Sequence, residues 1–364
     1  MKNQALDFSA IVDPLLSWYA DHRRSLPWRD DPTPYHVWLS EIMLQQTRIE
    51  AVLPYYHRFL AACPDVASLA AIDDDALMKL WQGLGYYSRA RNLKKAAQVI
   101  CEQHGGIFPA DYGALRALPG VGDYTAGAIA SIAFGLAEPA VDGNVLRVIM
   151  RLSADNSDIL ADAVKKRVRD QLRAIYPSKG GDAAAMTQAL MELGQRVCIP
   201  NGQPHCDECP LGAFCMARVN HLTDSIPYRA PKKPRRIEKR TVFLLCRADR
   251  QPDGTDIVRY AIRKRASKGL LASLWEFPSV DGHLCASEAK DAVLTIFEPL
   301  YVIDAAKAAD AVHIFTHIEW HMCGYCLLCQ GDCASDELTW ATADELRTVY
   351  ALPSAFRAYL GEIK

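Results

Sequence analysis

Four cysteines in the middle of the chain have a spacing that suits a metal site. Cys198, Cys206, Cys209 and Cys215 fall within eighteen residues, on a segment with the proline and glycine content of a loop. Four thiolates so close together can bind either a tetrahedral zinc ion or a [4Fe–4S] cluster. The spacing does not choose between these two, and four free thiols are the competing interpretation.

A second cysteine run lies near the C-terminus. Cys323, Cys326, Cys329 and Cys333 have the C-x2-C-x2-C-x3-C spacing of bacterial ferredoxins, but Ala334 follows where that motif has proline. The run lies in the alternating stretch HIEWHMCGYCLLCQ, and successive side chains of a strand point to opposite faces. Because a strand would separate the thiols, we predict buried strand cysteines here and no metal centre.

The stretch LPGVGDYTAGAIASIAFG places Gly120 and Gly122 just before a helical pattern, with Asp123 and Tyr124 at the helix entrance. Glycine lets another molecule approach the backbone closely, and the N–H groups at a helix N-terminus favour an anion. This pattern predicts an anion site. The alternative is a tight turn between two packed helices.

Two acidic residues have surroundings that would give them different proton affinities. Glu41 lies in the apolar stretch WLSEIMLQQ, where burial would raise its pKa and keep a proton available for general acid catalysis. Asp142 precedes VLRVIMRL, and a helix N-terminus favours an ionised carboxylate. Such a pair divides the work of glycoside hydrolysis. The alternatives are a surface glutamate and an ordinary N-cap aspartate.

The elements that must position these residues form two regions. Apolar residues recur at helical spacing in the first region, as at Phe8, Ile11 and Leu15. Strand-like stretches such as TVFLLCRA and IVRYAIRKR then alternate with helical ones. For a chain of 364 residues, this organisation predicts a helical domain over 1–225 and a mixed α/β domain over 241–364.

Residues 226–240, IPYRAPKKPRRIEKR, contain three prolines and seven lysines or arginines against one glutamate. This composition predicts a semi-extended linker, acting as a solvated tether, as a strap that neutralises phosphates, or as both. The net charge of the chain is −2, so a polyanionic partner would have to bind local basic patches.

Composition also indicates where the protein acts. The N-terminus MKNQALDFSAIVD lacks the apolar region of a signal peptide, and no apolar run reaches membrane-spanning length. Twelve cysteines without an export signal suit a reducing compartment. We expect a cytoplasmic protein with no membrane partner, associated with the nucleoid if the organism is bacterial.

Several motifs together resemble a known family. LPGVGDYTAGAI, VDGNVLRV and the four-cysteine loop resemble the helix-hairpin-helix DNA glycosylases of the endonuclease III superfamily. LPWR, SEIMLQQTR and WQGLGYYSRARNL are similar to the MutY family of adenine-specific mismatch glycosylases, over nearly the whole chain. The resemblance implies an all-α glycosylase domain with its hairpin at about 114–135 and an iron–sulfur loop at 198–215, followed by a C-terminal α/β Nudix-like domain.

The resemblance also implies the activity. A MutY-type enzyme of base excision repair hydrolyses the N-glycosidic bond of adenine opposite 8-oxoguanine, or less efficiently opposite guanine, and leaves an abasic site. The expected partner is double-stranded DNA with either mispair. A monomer is expected, and other repair proteins are further candidate partners.

By the same resemblance, Glu41 and Asp142 are the catalytic acids, while Tyr124 and Asn144 orient Asp142 and the attacking water. The [4Fe–4S] cluster is expected on the four cysteines of the 198–215 loop, and a structural cation is a further expectation at the hairpin carbonyls. The positions implied to contact the adenine, its partner base or the DNA backbone are Arg24, Trp28, Arg29, Gln45, Gln46, Thr47, Tyr86, Gly120, Gly122 and Glu192.

Tyr124 also limits the chemistry. Superfamily members that cleave the DNA strand have a lysine at this position, which forms a Schiff base with the sugar. Because a phenol cannot form that adduct, the resemblance implies base removal without efficient β-lyase activity.

The C-terminal domain resembles the Nudix-like domain that recognises 8-oxoguanine in the family. GLLASLWEFP is similar to its signature strand region, and Phe315, Thr316 and His317 match the family's Phe-Ser-His loop, with threonine for serine. Nucleotide hydrolysis is not expected, because Ile296 and Phe297 stand where a Nudix hydrolase needs its glutamate pairs for a divalent cation.

The sequence departs from the family pattern in the cysteine loop. The first cysteine interval is seven residues where the family commonly has six, and IPNGQPH contains no lysine or arginine. With only His205 able to become charged, we expect a weak phosphate contact from this loop.

Two other functions fit parts of the pattern. One is a bifunctional pyrimidine-damage glycosylase with lyase activity, and the other is a non-catalytic iron–sulfur protein that binds DNA or senses redox state.

Overall fold

The computed structural model describes residues 7–177, 182–231, 234–331 and 337–363. By its packing the chain divides into two compact units, residues 1–71 with 91–231, and residues 72–90 with 232–364. No helix in the described ranges is long and apolar enough to cross a bilayer.

The first 231 residues are helical where they are described, apart from turns and loops. Short 3-10 helices cover Phe8–Ile11 and Gly212–Phe214. The α-helices are α1 (Val12–His22), α2 (Pro27–Asp30), α3 (Pro34–Leu44), α4 (Ile49–Ala62), α5 (Val66–Ala71), α6 (Asp74–Trp81), α7 (Ser88–His104), α8 (Tyr112–Ala117), α9 (Asp123–Phe134), α10 (Gly143–Ser153), α11 (Asp162–Arg173), α12 (Asp182–Arg196) and α13 (Met216–Val219).

Local sequence signals set where these helices begin and end. The Thr33 hydroxyl accepts a hydrogen bond from the backbone N–H of His36 at the start of α3, and Pro34 occupies the first helical position. Helix α9 ends at Gly135, whose φ of 66° is a left-handed conformation that glycine adopts without strain. These caps fix the ends of the two helices that carry Glu41 and Tyr124.

The helical unit is built around an apolar core contributed mainly by α1, α10, α11 and α12. Leu15, Ile149 and Leu190 are fully buried there. Helices α8 and α9 with the turn between them form the hairpin that the sequence predicts at about 114–135. The helical fold class is therefore confirmed.

The second unit contains a mixed sheet. Its described strands are β1 (Arg236–Arg250), β2 (Asp256–Lys264), β3 (Trp275–Glu276), β4 (Ser279–Asp281), β5 (Tyr301–Lys307), β6 (Ala311–Ile314), β7 (Ile318–Gln330) and β8 (Thr339–Thr342). The main strand order is β3-β2-β1-β7-β5, with β4 paired to β1, β6 to β7 and β8 to β2. Strands β1 and β7 are parallel, and the other pairs are antiparallel.

Helices α14 (Ala286–Ile296), α15 (Ala343–Thr348) and α16 (Arg357–Leu360) complete this unit, with a 3-10 turn at Ser354–Phe356. Each face of the sheet has its own core, one with Leu244 and Trp320 and the other with Phe243 and Leu327. The predicted α/β domain is confirmed.

The cysteines of β7 alternate between the two faces. Cys323 and Cys329 are buried in one core, while Cys326 packs against the other, where its sulfur lies 3.9 Å from that of Cys246. The prediction that a strand separates these thiols is therefore confirmed. Cys333 lies outside the described residues.

The segment 226–240, which the sequence predicts as a linker, is a linker only in its first part. Strand β1 begins at Arg236, so the last five residues of that segment belong to the sheet. Helix α6 precedes this segment by about 150 positions in the chain, yet it packs within the second unit.

Candidate active site

A cavity of about 610 Å³ opens in the helical unit, and the two predicted catalytic carboxylates both line it. Glu41 comes from α3, and Asp142 is the residue before α10. The other predicted site residues that line this cavity are Arg24, Trp28, Arg29, Gln46, Thr47, Tyr124 and Asn144. Helices distant in sequence thus bring an acid pair into one space.

Glu41 is buried because α3 is apolar on nearly every side, and only 6% of its surface is exposed. The pKa of Glu41 is raised to about 7, because burial and the nearby charge of Asp142 outweigh the hydrogen bond from Tyr124 and the charge of Arg29, which lower it. A glutamate in this state holds a proton near neutral pH and can deliver it to a leaving group.

Asp142 caps helix α10. Its Oδ1 accepts hydrogen bonds from the backbone N–H of Asn144 at 2.9 Å and of Val145 at 2.8 Å, and its Oδ2 accepts one from Asn144 Nδ2 at 2.7 Å. Burial nevertheless raises the pKa of Asp142, against these hydrogen bonds. The sequence-based expectation of a carboxylate held ionised by a helix end omitted this burial.

Tyr124 is placed differently from the expectation. Its hydroxyl donates a hydrogen bond to Oε2 of Glu41, whereas the resemblance implied that it orients Asp142. The reason is geometric, because the first turn of α9 packs against α3. Asn144 supplies the expected side-chain hydrogen bond to Asp142.

Two arginines at the cavity wall share one carboxylate. Glu192 is fully buried on α12, and its carboxylate accepts hydrogen bonds from Arg24 Nε at 2.5 Å and Arg29 Nη2 at 2.8 Å. Burial opposes ionisation of Glu192, but the hydrogen bonds and charges of both arginines outweigh it and lower its pKa. The predicted trio therefore forms one charged cluster that fixes both guanidinium groups.

Helix α12 also contributes residues that the sequence analysis missed. Gln188, Met191 and Gln195 line the cavity, and Gln195 accepts a hydrogen bond from Arg24 Nη2 at 2.7 Å. These positions recur at helical spacing around Glu192, so the period of α12 was the signal that could have identified them.

The turn after α3 carries the next group of predicted contacts. Gln46 and Thr47 line the cavity, whereas Gln45 ends α3 and is absent from the lining. Gln46 is exposed and has a φ of 59°, a left-handed backbone that costs roughly 1–3 kcal/mol for a side chain without special support. Such strain commonly marks functional positions.

The two glycines of the α8–α9 turn differ in their surroundings. Gly120 has a φ of 75°, and a Cβ there would lie 2.6 Å from Cβ of Asn92. A Cβ on Gly122, which caps α9, would meet no atom within 4 Å. Gly120 is therefore required by packing, while Gly122 keeps backbone N–H groups open to an approaching molecule.

Asp123 at the start of α9 has a structural role. Arg169 and Arg116 both form ion pairs with its carboxylate, and the Tyr112 hydroxyl donates to it at 3.2 Å. These bonds lower the pKa of Asp123. The carboxylate thereby joins the hairpin to α11.

The four cysteines of the 198–215 loop line one small cavity together with Arg151 and Arg218. Arg151 Nη1 lies 3.3 Å from Sγ of Cys198. Arginines beside the sulfurs suit thiolates, because they offset the negative charge that four deprotonated cysteines would bring.

A chain of hydrogen bonds joins this loop to the acid pair. Arg147 Nε donates to the carbonyl of Cys198 at 2.7 Å, and its Nη2 donates to Oδ1 of Asn144 at 2.9 Å. Asn144 in turn donates to Asp142. Arg147, which the sequence analysis did not single out, thus fixes the amide of Asn144.

The predicted partner-base residues meet in the second unit. Phe315, Thr316 and His317 form the turn between β6 and β7, and the Tyr86 hydroxyl lies 3.1 Å from Oγ1 of Thr316. Tyr86 is 46% exposed and has a φ of 47°, a second left-handed side-chain position. This exposure favours a contact role for Tyr86, whereas Tyr87 is buried.

Helix α14 contains Ile296 and begins near Glu288, whose carboxylate has a structural role. Glu288 accepts a hydrogen bond from the backbone N–H of Cys285 at 2.7 Å and completes a capping box at the start of α14. In the described part of the chain no group of three or more potential ligands is arranged around a single metal ion. The Glu288 carboxylate is therefore occupied in capping α14.

The helical unit and the second unit match different family models. Residues 39–174 match the HhH-GPD superfamily base excision DNA repair protein, and residues 254–362 match the NUDIX domain. Among solved structures, a thermostable thymine-DNA glycosylase is similar at 27% identity, covering 58% of this chain and 96% of that one with a TM-score of 0.52.

Curated relatives extend the match to nearly the whole chain. The adenine DNA glycosylase of Rattus norvegicus is 34% identical over 97% of this chain and 78% of its own length, and that of Homo sapiens is 33% identical over 98% and 75%. The chain belongs to the adenine DNA glycosylase family. As an adenine DNA glycosylase, it binds DNA and hydrolyses N-glycosyl bonds of adenine.

Proposed function

We propose that this adenine DNA glycosylase excises adenine opposite 8-oxoguanine in preference to guanine, with Glu41 and Asp142 as its catalytic residues. The observation that carries the proposal is that both carboxylates line one cavity of about 610 Å³, with the pKa of Glu41 raised to about 7. The flipped adenine nucleotide occupies this cavity, at a cost of a few kcal/mol in lost stacking.

Glu41 acts as the general acid. Adenine is a poor leaving group until a ring nitrogen is protonated, and the buried carboxyl of Glu41 holds the proton that it needs. The Tyr124 hydroxyl, hydrogen-bonded to Oε2, fixes the rotamer of this carboxyl.

Asp142 stabilises the positive charge that develops on the sugar as the glycosidic bond breaks. The Asp142 carboxylate is held by three hydrogen bonds, two from Asn144 and one from Val145, so it does not need to reorganise during the reaction. Like charges close together cannot both ionise easily, so the pair favours one proton on Glu41 and a carboxylate at Asp142.

The base opposite adenine is tested by residues on exposed turns. The Tyr86 ring can stack on a base, a contact worth roughly 1–3 kcal/mol, which offsets the cost of flipping. The adjacent hydroxyl of Thr316 can donate and accept hydrogen bonds, as recognition of the added oxygen and N–H of 8-oxoguanine requires. Gln45 and Gln46, at the end of α3 in the first unit, are further proposed contacts to the partner base.

A [4Fe–4S] cluster is the metal centre proposed for this loop, because four cysteine thiolates can hold one and the family resemblance implies it. The four thiols line one cavity beside Arg151, whose charge would offset that of the thiolates. Cys198, Cys206, Cys209 and Cys215 would hold the cluster, which crosslinks the loop when it is bound.

The enzyme is monofunctional. Among the described residues that line the cavity there is no lysine, and the Tyr124 hydroxyl, which hydrogen-bonds to Glu41, belongs to a phenol that cannot form a Schiff base. Trapping with borohydride on an abasic duplex tests this point, and little covalent adduct is expected.

The decisive experiment is a single-turnover assay on duplexes that place adenine opposite 8-oxoguanine, guanine, cytosine or thymine. We expect the fastest release opposite 8-oxoguanine and slower release opposite guanine. Glu41→Gln should lower the rate by about 10²–10⁴-fold while the variant still binds the duplex. Release at the uncatalysed background rate by wild type and Glu41→Gln alike would support the non-catalytic alternative, and catalysed release that is unchanged in Glu41→Gln would overturn the role of Glu41.

A further inference from the structure

Helix α6 is fastened to the backbone at the C-terminal end of α15 within the second unit. Lys79 Nζ donates to the carbonyl oxygens of Arg347 at 2.6 Å and Tyr350 at 3.1 Å. Gln82 Nε2 donates to the carbonyl of Leu352 at 2.8 Å. Arg347 lies in the last turn of α15, whose carbonyls have no partner inside the helix, and Tyr350 and Leu352 follow that helix. The three hydrogen bonds therefore join α6 to the end of α15 and to the segment after it.

An ion pair fixes the start of the same helix. Lys264 Nζ at the end of β2 lies 2.7 and 3.0 Å from the two carboxylate oxygens of Asp75. The same ammonium lies 5.5 Å from the ring centroid of Trp275, which packs edge-on against Tyr350. Helix α6 is therefore held at two points along its length.

Hydrogen bonds in the turn after α6 join this helix to Tyr86. Trp81 Nε1 donates to the carbonyl of Gly85 at 3.0 Å, and Arg89 Nη2 donates to the carbonyls of Leu84 and Gly85 at 3.0 and 3.1 Å. The Arg89 guanidinium lies over the rings of Trp81 and Tyr86. A shift of α6 would therefore move Tyr86.

Thr316, the other member of the Tyr86–Thr316 pair, is fixed through its two neighbours by Arg235 and by Arg236 at the start of β1. Arg235 Nε donates to the carbonyl of Phe315 at 3.1 Å, and the backbone N–H of Arg236 donates to the carbonyl of His317 at 3.2 Å. The backbone on both sides of Thr316 is thereby fixed by hydrogen bonds. The hydroxyl separation of 3.1 Å depends on both sets of anchors.

We propose that Lys79 and Gln82 are positioning residues for partner-base selectivity. By fastening α6 to the end of α15, they set the separation of the Tyr86 and Thr316 hydroxyls that face the base opposite adenine. The inference rests on the proposed function, since it assigns those hydroxyls to the partner base. It predicts that selectivity depends on two side chains that contact neither adenine nor its partner.

The test removes the donors while keeping most of the apolar part of each side chain. Lys79→Met, Gln82→Leu and the double variant are compared with wild type for single-turnover adenine release opposite 8-oxoguanine and opposite guanine. In the double variant the ratio of the two rates should fall about 5-fold or more, the range expected for coupled sites, with the rate opposite guanine nearly unchanged. Lys79→Arg, which keeps the donors, should preserve the ratio, as should Lys290→Met on α14.

A double-mutant cycle separates positioning from general destabilisation. If Lys79 acts through the hydroxyl pair, Lys79→Met should add little to the loss of selectivity caused by Thr316→Val. Additive losses, an unchanged ratio in the Lys79→Met and Gln82→Leu double variant, or equal loss of both rates with a lower melting temperature would each overturn the inference. A wild-type enzyme that shows no preference for 8-oxoguanine would instead overturn the proposed function.

Discussion

The hydroxyl of Tyr124 donates a hydrogen bond to Oε2 of Glu41, so a phenol touches the proposed general acid. A donor to the carboxylate stabilises the ionised form, and this contact lowers the pKa of Glu41 against the larger effect of burial. Tyr124 therefore sets the pH range over which Glu41 holds its proton.

The rate of adenine release should depend on pH through Glu41. Because the protonated form is required, the single-turnover rate should fall as pH rises through about 7, the pKa of Glu41. Tyr124→Phe removes a hydrogen bond that lowers this pKa, so the falling limb should move to higher pH. The measurement is the rate profile of both proteins between acidic and alkaline buffers. A limb that moves to lower pH, or that does not move, would contradict this assignment.

Two substitutions at Asp142 separate its charge from its capping role. Asp142→Asn keeps an acceptor for the N–H groups of Asn144 and Val145 but loses the bond from Asn144 Nδ2, so the melting temperature should fall less than in Asp142→Ala. Asp142→Ala should lose about 1 kcal/mol of stability as well. Both variants should lose at least about 10²-fold in single-turnover rate, because the charge on the sugar is no longer stabilised. Substantial activity in Asp142→Asn would show that the carboxylate is not needed.

The hairpin glycines provide a matched pair. Gly120→Ala places a Cβ against Asn92 at a left-handed φ and should cost about 1–3 kcal/mol of stability, measured by thermal or denaturant unfolding. Gly122→Ala has open space and should leave the melting temperature nearly unchanged, while weakening duplex binding by about tenfold or more through hindered phosphate contacts. Equal stability losses in the two variants, or duplex binding by Gly122→Ala that matches wild type, would disprove this division of roles.

The two cysteine runs should respond differently to mutation. Cys206→Ala removes one sulfur from the loop cavity and should reduce bound iron and the visible absorption of the purified protein. Cys326→Ala changes a half-buried strand thiol and should leave iron content unchanged. Iron and sulfide analysis of both proteins measures the outcome. Stoichiometric zinc in wild type would favour the single-ion alternative.

The sequence predicted features that depend on local patterns. The apolar neighbours of Glu41 on α3 predicted its burial, and the position of Asp142 before a helix predicted its capping bonds. The alternation around Cys326 predicted the division of the β7 thiols between two cores. In each case the deciding neighbours are only a few residues away in the chain.

Features that depend on distant contacts were not predicted. Glu41 and Tyr124 are 83 positions apart, and no periodic pattern indicates which carboxylate that phenol meets. Gly120 and Gly122 look equivalent in sequence, but Asn92 from another helix distinguishes them. Lys79 is separated from its acceptor at Arg347 by 268 positions, so its packing with the second unit depends on tertiary structure alone.

The proposed contacts of Gln46 and Tyr86 with the partner base would give their left-handed backbone a consequence for the search along DNA. Both turns already have their left-handed backbone in the free protein. The conformational entropy of ordering them is therefore lost on folding and not on binding DNA. Encounters with undamaged base pairs vastly outnumber encounters with mispairs, and a probe that needs no ordering can be inserted and withdrawn quickly. Replacing either residue with glycine would relax the turn and slow the inspection of each base pair, even where the final complex is equally stable.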